Sequence, residues 1–344
     1  MSVAGQGRAL VVGEALVDVV HRQDGTRDEI AGGSPANVAV GLARLGRRAD
    51  LLTWLAPDAE GDLVRRHLEG SGVRVLVGDR TPVRTPVATA RLDADGVATY
   101  DFDLEWDLPG AWDEDDDDAL VVHTGSIGAV LEPGGSRVAD LLEARRATST
   151  VTYDPNLRPA LMGDPGDVLP VVERLVRAAD VVKVSDEDLA WLLPGVAPAE
   201  VAEDWSRNGP ALVVVTHGGD GAFACTAAGA RLQVAAPRVR VVDTVGAGDS
   251  FMAGLVDGLW SAGLLGADRR AALQDVAAAT VEDVLARCAR IAAITVSRRG
   301  ANPPRSAELD NPAVLAAALA DAATDPATDA ATDAATDAPT GGAA

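Results

Sequence analysis

A glycine-rich turn that ends in an acid has the residue types that phosphoryl transfer requires. The turn is Gly246-Ala247-Gly248-Asp249, and an apolar segment with helical periodicity follows it. Because the residues before the acid have little or no side chain, consecutive backbone amides can point into one concavity at the helix start and bind an anion. Such amides stabilise migrating phosphoryl oxygens, while Asp249 orients the attacking hydroxyl and accepts its proton. The sequence therefore predicts an anion hole at Gly246–Gly248 with Asp249 as the catalytic base.

A second glycine turn precedes a helix much earlier in the chain, at Gly32-Gly33-Ser34-Pro35-Ala36-Asn37. Ser34 is predicted to be the N-cap of this helix, with the proline in the first turn, and Gly46 is predicted to terminate it. The two glycines allow a ligand to approach the backbone. Asn37, one turn into the helix, can donate and accept hydrogen bonds, which suits a sugar hydroxyl.

The elements that must position these turns alternate along the chain. Strands are predicted at Ala9–Val20, Asp50–Leu55, Val73–Val77, Leu120–His123, Val151–Asp154, Val181–Val184, Leu212–Thr216 and Ala222–Thr226. Helices between them are predicted at Asn37–Leu45, Val138–Arg146, Val168–Ala178 and Ser250–Trp260. Strands interleaved with helices predict an α/β fold with a largely parallel, buried sheet.

One pair of strands interrupts this alternation. Val87–Asp93 and Val97–Phe102 flank an Asp95-Gly96 step, which predicts a β-hairpin. A hairpin inserted at about residues 86–104 of an α/β chain is a candidate lid over the sheet edge.

Composition excludes several classes of protein. The 344 residues include 30 basic and 52 acidic side chains, so the formal net charge is −22. This charge repels nucleic acids and anionic membranes. The sequence has no apolar stretch of membrane-spanning length and no secretory-signal pattern, so a cytoplasmic location is expected. Two cysteines cannot form a disulfide framework or a four-cysteine zinc site.

Two segments are expected to lie outside the packed fold. The acidic run Asp113–Asp118 is expected to be a solvated loop rather than a metal site. From Asp321 to Ala344 the chain repeats Ala-Thr-Asp units without bases or large apolar groups, which predicts a disordered tail. The folded domain is therefore expected to span residues 1–320.

Both glycine turns resemble motifs of the ribokinase-like (PfkB) carbohydrate kinases. Asp243–Phe251 resembles the C-terminal motif of that family and Gly32–Asn37 its N-terminal motif, in the expected order. The likeness runs from about residue 9 to residue 302. Segments that resemble the fructokinase branch are Gly13–Asp18, Asp154–Pro159, Lys183–Asp188 and Ser297–Asn302. The resemblance implies a ribokinase-like three-layer α/β/α sandwich with a central, mostly parallel sheet and a small β lid.

The resemblance also implies a sugar site next to Asp249. Residues expected to contact the sugar are Asp18, Gly32, Gly33, Asn37, Asn156 and Arg158, with Arg91 projecting from the lid hairpin. As a carboxylate, Asp18 can accept hydrogen bonds from two vicinal hydroxyls.

Nucleotide-binding residues are likewise expected from the resemblance. They are Lys183, Ser185, Thr216, Gly218, Gly221 and Asn302. Lys183 is the only lysine in the chain and is followed by Val184, which excludes a P-loop. Since it is expected at a strand end, where open α/β sheets bind ligands, we hypothesise that it meets ATP phosphate oxygens. His217, in a variable slot of the nucleotide loop, is expected to face solvent.

Two cation sites follow from the same resemblance. Magnesium would accompany ATP, organised through water by Glu187 or Asp188; this chain has Ser185 and Asp188 where the family has Asn and Glu, so the choice stays open. A potassium site is expected around Asp243 and Val245, together with the 292–300 region.

The expected activity is ATP-dependent phosphorylation of a sugar primary hydroxyl, with fructose as the first substrate. The alternative on the same scaffold is a 2-keto-3-deoxygluconate kinase, whose substrate carboxylate needs Arg91 or Arg158, or another sugar or nucleoside kinase. Alternatives of other classes are a non-catalytic sugar sensor and a scaffold recruited through the acidic tail. A homodimer through the lid is expected.

Overall fold

The computed structural model describes residues 7–21, 26–92, 98–108 and 119–320. The predicted Asp95-Gly96 turn, the acidic run Asp113–Asp118 and the tail from Asp321 lie outside the described residues.

The strands of the described residues form two sheets. The strands are β1 (Arg8–Val12), β2 (Leu16–His21), β3 (Arg27–Gly32), β4 (Ala49–Leu52), β5 (Val73–Leu76), β6 (Val87–Leu92), β7 (Ala98–Asp103), β8 (Ala119–Gly125), β9 (Thr150–Asp154), β10 (Val181–Ser185), β11 (Leu212–Thr216), β12 (Ala222–Thr226) and β13 (Arg231–Val234). The large sheet has the order β13-β12-β11-β10-β9-β8-β1-β4-β5, and the small one β3-β2-β6-β7.

Helices cover both faces of the large sheet. The helices are α1 (Ser34–Arg44), α2 (Ala59–Gly70), α3 (Gly134–Arg145), α4 (Pro159–Met162), α5 (Pro165–Ala178), α6 (Asp186–Leu192), α7 (Pro198–Asn208), α8 (Ala247–Ser261), α9 (Arg270–Gln274), α10 (Ala278–Val296), α11 (Ser306–Leu309) and α12 (Pro312–Ala320). None of the helices in the described ranges is long and apolar enough to span a lipid bilayer.

The large sheet is parallel from β5 to β11, and β12 and β13 run antiparallel at one edge. One apolar cluster, which includes Val38, Met252 and Ile291, packs α1, α8 and α10 against one face. A second cluster, which includes Leu142 and Leu175, packs α3 and α5 against the other. Helices on both faces of this mostly parallel sheet give the predicted three-layer α/β/α sandwich.

The predicted strand Ala9–Val20 is wrong as a single element. It is two strands, since β1 lies in the centre of the large sheet and β2 in the small one. The chain turns at Gly13, where φ is +155° and a Cβ would lie 2.3 Å from Cγ of Pro35, so only glycine fits. A continuous aliphatic pattern does not mark this break.

The predicted hairpin is confirmed by the pairing of β6 with β7, which is antiparallel from Val87–Asp103 to Leu92–Ala98. β2 pairs with β6 in parallel and with β3 in antiparallel orientation, so the small β sheet that the resemblance implied has four strands, of which the sequence analysis assigned only the hairpin pair. This sheet carries Asp18 on β2 and Gly32 at the end of β3.

Candidate active site

The carboxylate of Asp249 accepts hydrogen bonds from three side chains, two on α1 and one in the segment after β9. Asp249 is in the first turn of α8 and is buried. Its Oδ1 accepts from the Ser34 hydroxyl at 2.7 Å and from the Asn156 amide at 3.2 Å, and its Oδ2 accepts from the Asn37 amide at 2.8 Å. The structure thus brings Asn37 and Asn156, both predicted site residues, onto the predicted base.

Ser34 is not the N-cap of α1, so that prediction is wrong. Gly33 occupies the N-cap position with φ of +105°, and no side-chain cap is made. The Ser34 hydroxyl is committed to Asp249 instead. A signal for this role existed, since Ser34 and Asn37 are three residues apart and therefore share one face of the helix. Gly46, by contrast, follows α1 with φ of +90° and donates to the Ala43 carbonyl, as predicted for a terminator.

The glycine turn before Asp249 opens α8 as predicted, but its amides are not equivalent. Gly246 is the N-cap with φ of +76°. The Ala247 amide donates to the Thr244 carbonyl at 3.2 Å, and the Ser250 amide makes a 2.9 Å helical bond to the Gly246 carbonyl. First-turn amides have no partner within a helix, so Gly248 and Asp249 present theirs at the positive end of α8. The Ala247 amide, which the sequence analysis assigned to the predicted anion hole, is therefore already hydrogen-bonded within the turn.

Asp243 fixes this turn against the segment after α10. Its Oδ1 accepts from the Val245 amide at 3.0 Å and its Oδ2 from the Gly300 amide at 2.8 Å. Gly246 is pressed against the same segment, because a Cβ there would lie 2.6 Å from the Cβ of Ala301. The residues predicted around the potassium site are thus close together, and the Asp243 carboxylate ties them to each other.

Asp18 and Gly32 form a close contact on the small sheet. A Cβ on Gly32 would lie only 2.2 Å from Oδ2 of Asp18, so a larger residue here would displace the Asp18 carboxylate. Burial raises the pKa of the Asp18 carboxyl, and the positive charge of Arg158 opposes that rise. The Arg158 guanidinium donates to the Asn156 side-chain oxygen at 2.8 Å. Asn156 itself has φ of +38°, a strained conformation of the kind found at ligand sites.

Glu14 is a buried acid that the sequence analysis did not single out. It lies between β1 and β2, and its Oε2 accepts from the Gly128 amide at 2.9 Å. Burial raises the pKa of Glu14 to about 7, although hydrogen bonds from Gly128 and Ser126 and the charge of Arg158 act in the opposite direction. Ser126 has φ of +56°. Glu14 lies within the aliphatic run Ala9–Val20, which was predicted as one strand, so the sequence did not indicate that it lies between the two sheets.

Lys183 does not lie at the end of its strand, contrary to the prediction. It is the central residue of β10, with a side chain that is 3% exposed. Its Nζ donates to Oδ2 of Asp154 at 2.8 Å. The ammonium of Lys183 is therefore not exposed at the surface, where the predicted contact with ATP phosphates would need it.

The two candidate magnesium-organising acids have different surroundings. Asp188 belongs to a capping box at the start of α6, in which Ser185 Oγ accepts from the Asp188 amide and Asp188 Oδ2 accepts from the Ser185 amide. Its Oδ1 accepts from the Leu157 amide at 2.8 Å. Glu187 is exposed in the same turn. Both oxygens of Asp188 thus support the backbone, whereas the Glu187 carboxylate faces solvent.

The predicted nucleotide loop is the connection between β11 and β12. Thr216 ends β11, and Gly218 and Gly221 have φ of +49° and +108°. His217 is partly buried rather than free in solvent: its Nδ1 lies 3.0 Å from Oδ2 of Asp186 and its ring stacks on Phe223.

Asn302 and Arg91 complete the predicted set. The Asn302 side-chain oxygen accepts from Arg44, on α1, at 2.6 Å. Arg91 is a backbone partner of His21 in the small sheet, and its side chain lies outside what the structure describes. Among the residues described, no three His, Cys, Asp or Glu side chains form a group that could hold a metal ion.

The sequence matches the family model described as pfkB family carbohydrate kinase over residues 6–308. A fructokinase of Rhizobium leguminosarum bv. trifolii is 35% identical over 283 residues, which are 78% of this chain and 84% of the relative. A fructokinase of Klebsiella pneumoniae is 34% identical over 75% of this chain and 86% of the relative. An aminoimidazole riboside kinase of Salmonella typhimurium is 33% identical over 72% and 79%.

Solved structures share the fold. The fructokinase of Xylella fastidiosa with bound ATP superposes with a TM-score of 0.77 at 24% identity, over 90% of this chain and 98% of that one. A double mutant of the Vibrio cholerae fructokinase, in a form with fructose, ADP and potassium ion, gives a TM-score of 0.71 at 27% identity over 92% and 99%. The predicted fold class is therefore confirmed.

Proposed function

The chain belongs to the pfkB family of carbohydrate kinases, and from this premise we propose that it transfers the terminal phosphoryl group of ATP to a primary hydroxyl of fructose. The hydrogen-bonded position of Asp249 at the N-terminus of α8 carries the proposal. Relatives named fructokinase, at 35% and 34% identity over about three quarters of this chain, support the choice of fructose.

The hydrogen bonds of Asp249 leave room for one more donor. An ionised carboxylate offers about four lone-pair directions. Ser34, Asn37 and Asn156 occupy three of them. The sugar hydroxyl takes the remaining one and donates to Asp249. As the hydroxyl oxygen bonds to the terminal phosphorus of ATP, its proton passes to Asp249, and the bond from that phosphorus to the bridging oxygen breaks, so that ADP leaves. Because the three donors hold the carboxylate before the substrate arrives, little reorganisation is needed at the moment of reaction.

The N-terminus of α8 stabilises the negative charge of the transferring phosphoryl group. The amides of Gly248 and Asp249 point toward the end of the helix, where the dipole favours negative charge. As charge builds on the transferring oxygens, these amides stabilise it. Asp243 supports the reaction indirectly, since it fixes the turn that presents them.

The rest of the sugar site is assigned by the same proposal. Asp18 binds vicinal hydroxyls of the sugar, and Gly32 and Gly33 allow the substrate to lie close to the backbone. Arg158 faces the same space, close enough for its charge to affect the carboxyl of Asp18. Arg91 is proposed to reach the sugar from β6.

ATP is proposed to bind as its magnesium complex at the carboxyl ends of β10 and β11. The proposed contacts are Ser185, Thr216, Gly218, Gly221 and Asn302. Glu187 is the proposed partner of the magnesium water shell, because its carboxylate is free of backbone contacts whereas that of Asp188 is not. The segment joined by Asp243 is the proposed potassium site, and the Vibrio cholerae fructokinase form with potassium ion supports such a site.

The substrate itself has two rivals, each favoured by one observation. The exposed Arg158 next to Asp18 offers a cation for a carboxylated sugar such as 2-keto-3-deoxygluconate. The aminoimidazole riboside kinase relative favours a riboside.

A homodimer through the small sheet, where Ile30 is half exposed, and a cytoplasmic location complete the proposal.

A substrate panel tests the proposal directly. ADP release by the full-length protein with magnesium-ATP is measured against fructose, 2-keto-3-deoxygluconate, aminoimidazole riboside, ribose and adenosine. We expect the highest kcat/KM with fructose and a product phosphorylated at a primary hydroxyl, identified by NMR. A higher kcat/KM for another member of the panel would replace fructose, and no sugar-dependent ADP release at all would contradict the kinase assignment for this chain.

A further inference from the structure

Lys183 and Asp154 form an ion pair inside the protein, on the face of the large sheet that α8 covers. Their charged atoms are 2.8 Å apart, and the two side chains are 3% and 0% exposed. The register between β9 and β10 pairs Val182 with Tyr153, which places Lys183 and Asp154 side by side on the same face. Asp154 is the last residue of β9, two positions before Asn156, which contacts Asp249.

The ammonium lies directly beneath the glycine turn. A Cβ built on Gly248 would lie 2.9 Å from Nζ of Lys183, so the ammonium is packed against the α-carbon of that glycine. Gly248 precedes Asp249 in the first turn of α8. The positive charge therefore lies against Gly248, whose amide is one of the two proposed to hold the phosphoryl group.

The titratable groups around the ion pair include carboxylates and a neutral histidine. Asp154, Asp188 and Asp249 are all close enough to Lys183 for their charges to raise the pKa of the ammonium, and burial acts in the opposite direction. His123, on the neighbouring strand β8, is neutral because burial and Lys183 lower its pKa to about 3. Its Nδ1 lies 3.0 Å from the Thr152 hydroxyl. Lys183 is thus the single cation among three carboxylates in this described cluster.

Fold stability alone does not explain a buried pair at this place. Removing two charges from water costs several kcal/mol for each ion, and apolar replacements of similar volume are often neutral or stabilising. The neighbouring positions on this face are Val181 and Val214, which pack in the apolar cluster. An apolar residue at position 183 would continue that cluster.

We propose that Lys183 is a positioning residue for phosphoryl transfer: held by Asp154, its ammonium forms a cationic floor beneath the Gly248 amide and Asp249. The ammonium does not touch ATP. It adds a fixed positive potential at the turn. This potential stabilises the negative charge that develops on the transferring phosphoryl oxygens. This inference rests on the proposed function, because it assumes that the transfer takes place at the start of α8.

Paired neutral variants separate this role from folding. Lys183→Met alone would leave Asp154 buried and unpaired, so the test uses Lys183→Met with Asp154→Asn, and Lys183→Gln with Asp154→Asn as the hydrogen-bonding alternative. The matched control is Arg8→Met with Asp50→Asn, which neutralises another buried ion pair of the same sheet; Arg74, which also bonds Asp50, has a half-exposed side chain that water can solvate. Melting temperature, kcat, and KM for fructose and ATP are measured for each.

We expect at least one neutral Lys183 pair to fold with a melting temperature near that of the control. Its kcat should be about 10²-fold below wild type, comparable to the loss of one anion-hole donor, with both KM values within about threefold of wild type. Affinity for ADP with aluminium fluoride and fructose, a transition-state mimic, should fall in parallel, while affinity for ADP alone should not.

Two different failures can be told apart. If wild type shows sugar-dependent ADP release and the neutral pair keeps kcat within threefold, Lys183 is structural and the inference is overturned. The same conclusion follows if ADP affinity and transition-state-mimic affinity fall equally. If wild type itself releases no ADP with any sugar, the proposed function fails first.

Discussion

The hydroxyl of Ser34 donates a 2.7 Å hydrogen bond to Oδ1 of Asp249, across 215 positions of sequence. Both residues lie in the first turn of a helix, and each helix begins at a glycine with positive φ, Gly33 for α1 and Gly246 for α8. Two positive helix ends therefore meet at one carboxylate. This convergence favours a negative charge at the place where the proposed base must act.

Replacing Asp249 tests the base most directly. We expect Asp249→Ala to lower kcat by roughly 10³-fold, the range seen when a positioned general base is lost. Asp249→Asn, which keeps the shape but cannot take a proton, should lose a similar amount. Calorimetric titration should show fructose binding within about tenfold of wild type. Turnover within tenfold of wild type in either variant would assign the proton acceptor to another group.

Ser34→Ala should leave Asp249 in place but remove one of the hydrogen bonds that fix its carboxylate. The change deletes one of three donors to a buried carboxylate, which costs about 1–3 kcal/mol where the acceptor is left short of a partner. We expect kcat to fall about tenfold, with a small drop in melting temperature. Ser206→Ala is the control, because Ser206 is equally buried but bonds only the Glu203 carbonyl within its own helix. Equal kcat in the two variants would show that the Ser34 contact is structural.

Gly32→Ala should affect sugar binding in particular. The new Cβ would overlap Oδ2 of Asp18, at 2.2 Å, so the carboxylate must rotate away from its present position. We expect KM for fructose to rise about tenfold or more, with KM for ATP little changed. Gly70→Ala serves as control, since a Cβ at that helix end meets nothing within 4 Å. If both variants bind fructose as wild type does, Asp18 is not a sugar ligand.

The sequence could predict the parts of the site whose chemistry is local. The turn before Asp249 was identified because small residues, an acid and a helical pattern occur together within one segment. The α/β layers were predictable for the same reason, since periodicity is a local property. Asn37 was found because an amide in the first turn after two glycines is positioned for a ligand.

Other features depend on contacts between distant segments. Ser34 satisfies the pattern of an N-cap, and only the packing of α1 against α8 directs its hydroxyl to Asp249. The burial of Lys183 depends on the register of β9 with β10, which places Asp154 beside it. The division of the run Ala9–Val20 between two sheets is set by the approach of Pro35 to Gly13. For Ser34 the one local signal is the helix face that it shares with Asn37, and the other two features have no signature within a single segment.

Glu14 predicts how stability should depend on pH. Burial raises its pKa to about 7 from an ordinary value of 4.5. Between these pH values the folded protein holds a proton that the unfolded chain releases, so the free energy of unfolding falls as pH rises. The contribution is fully present below about pH 4.5 and is lost as pH passes through about 7. Its size is at most roughly 3.5 kcal/mol, since one pKa unit corresponds to about 1.4 kcal/mol.

Glu14→Gln isolates this effect, because glutamine keeps an acceptor for the Gly128 amide but carries no titrating proton. Urea unfolding from pH 4.5 to pH 8 should show the stability of wild type declining relative to that of the variant. Asp154 and His123, whose pKa values are also shifted, are present in both proteins and cancel in the difference. Glu69→Gln, an exposed control on α2, should follow wild type at every pH. Parallel curves for wild type and Glu14→Gln would mean that Glu14 titrates normally, and that the position between β1 and β2 admits water.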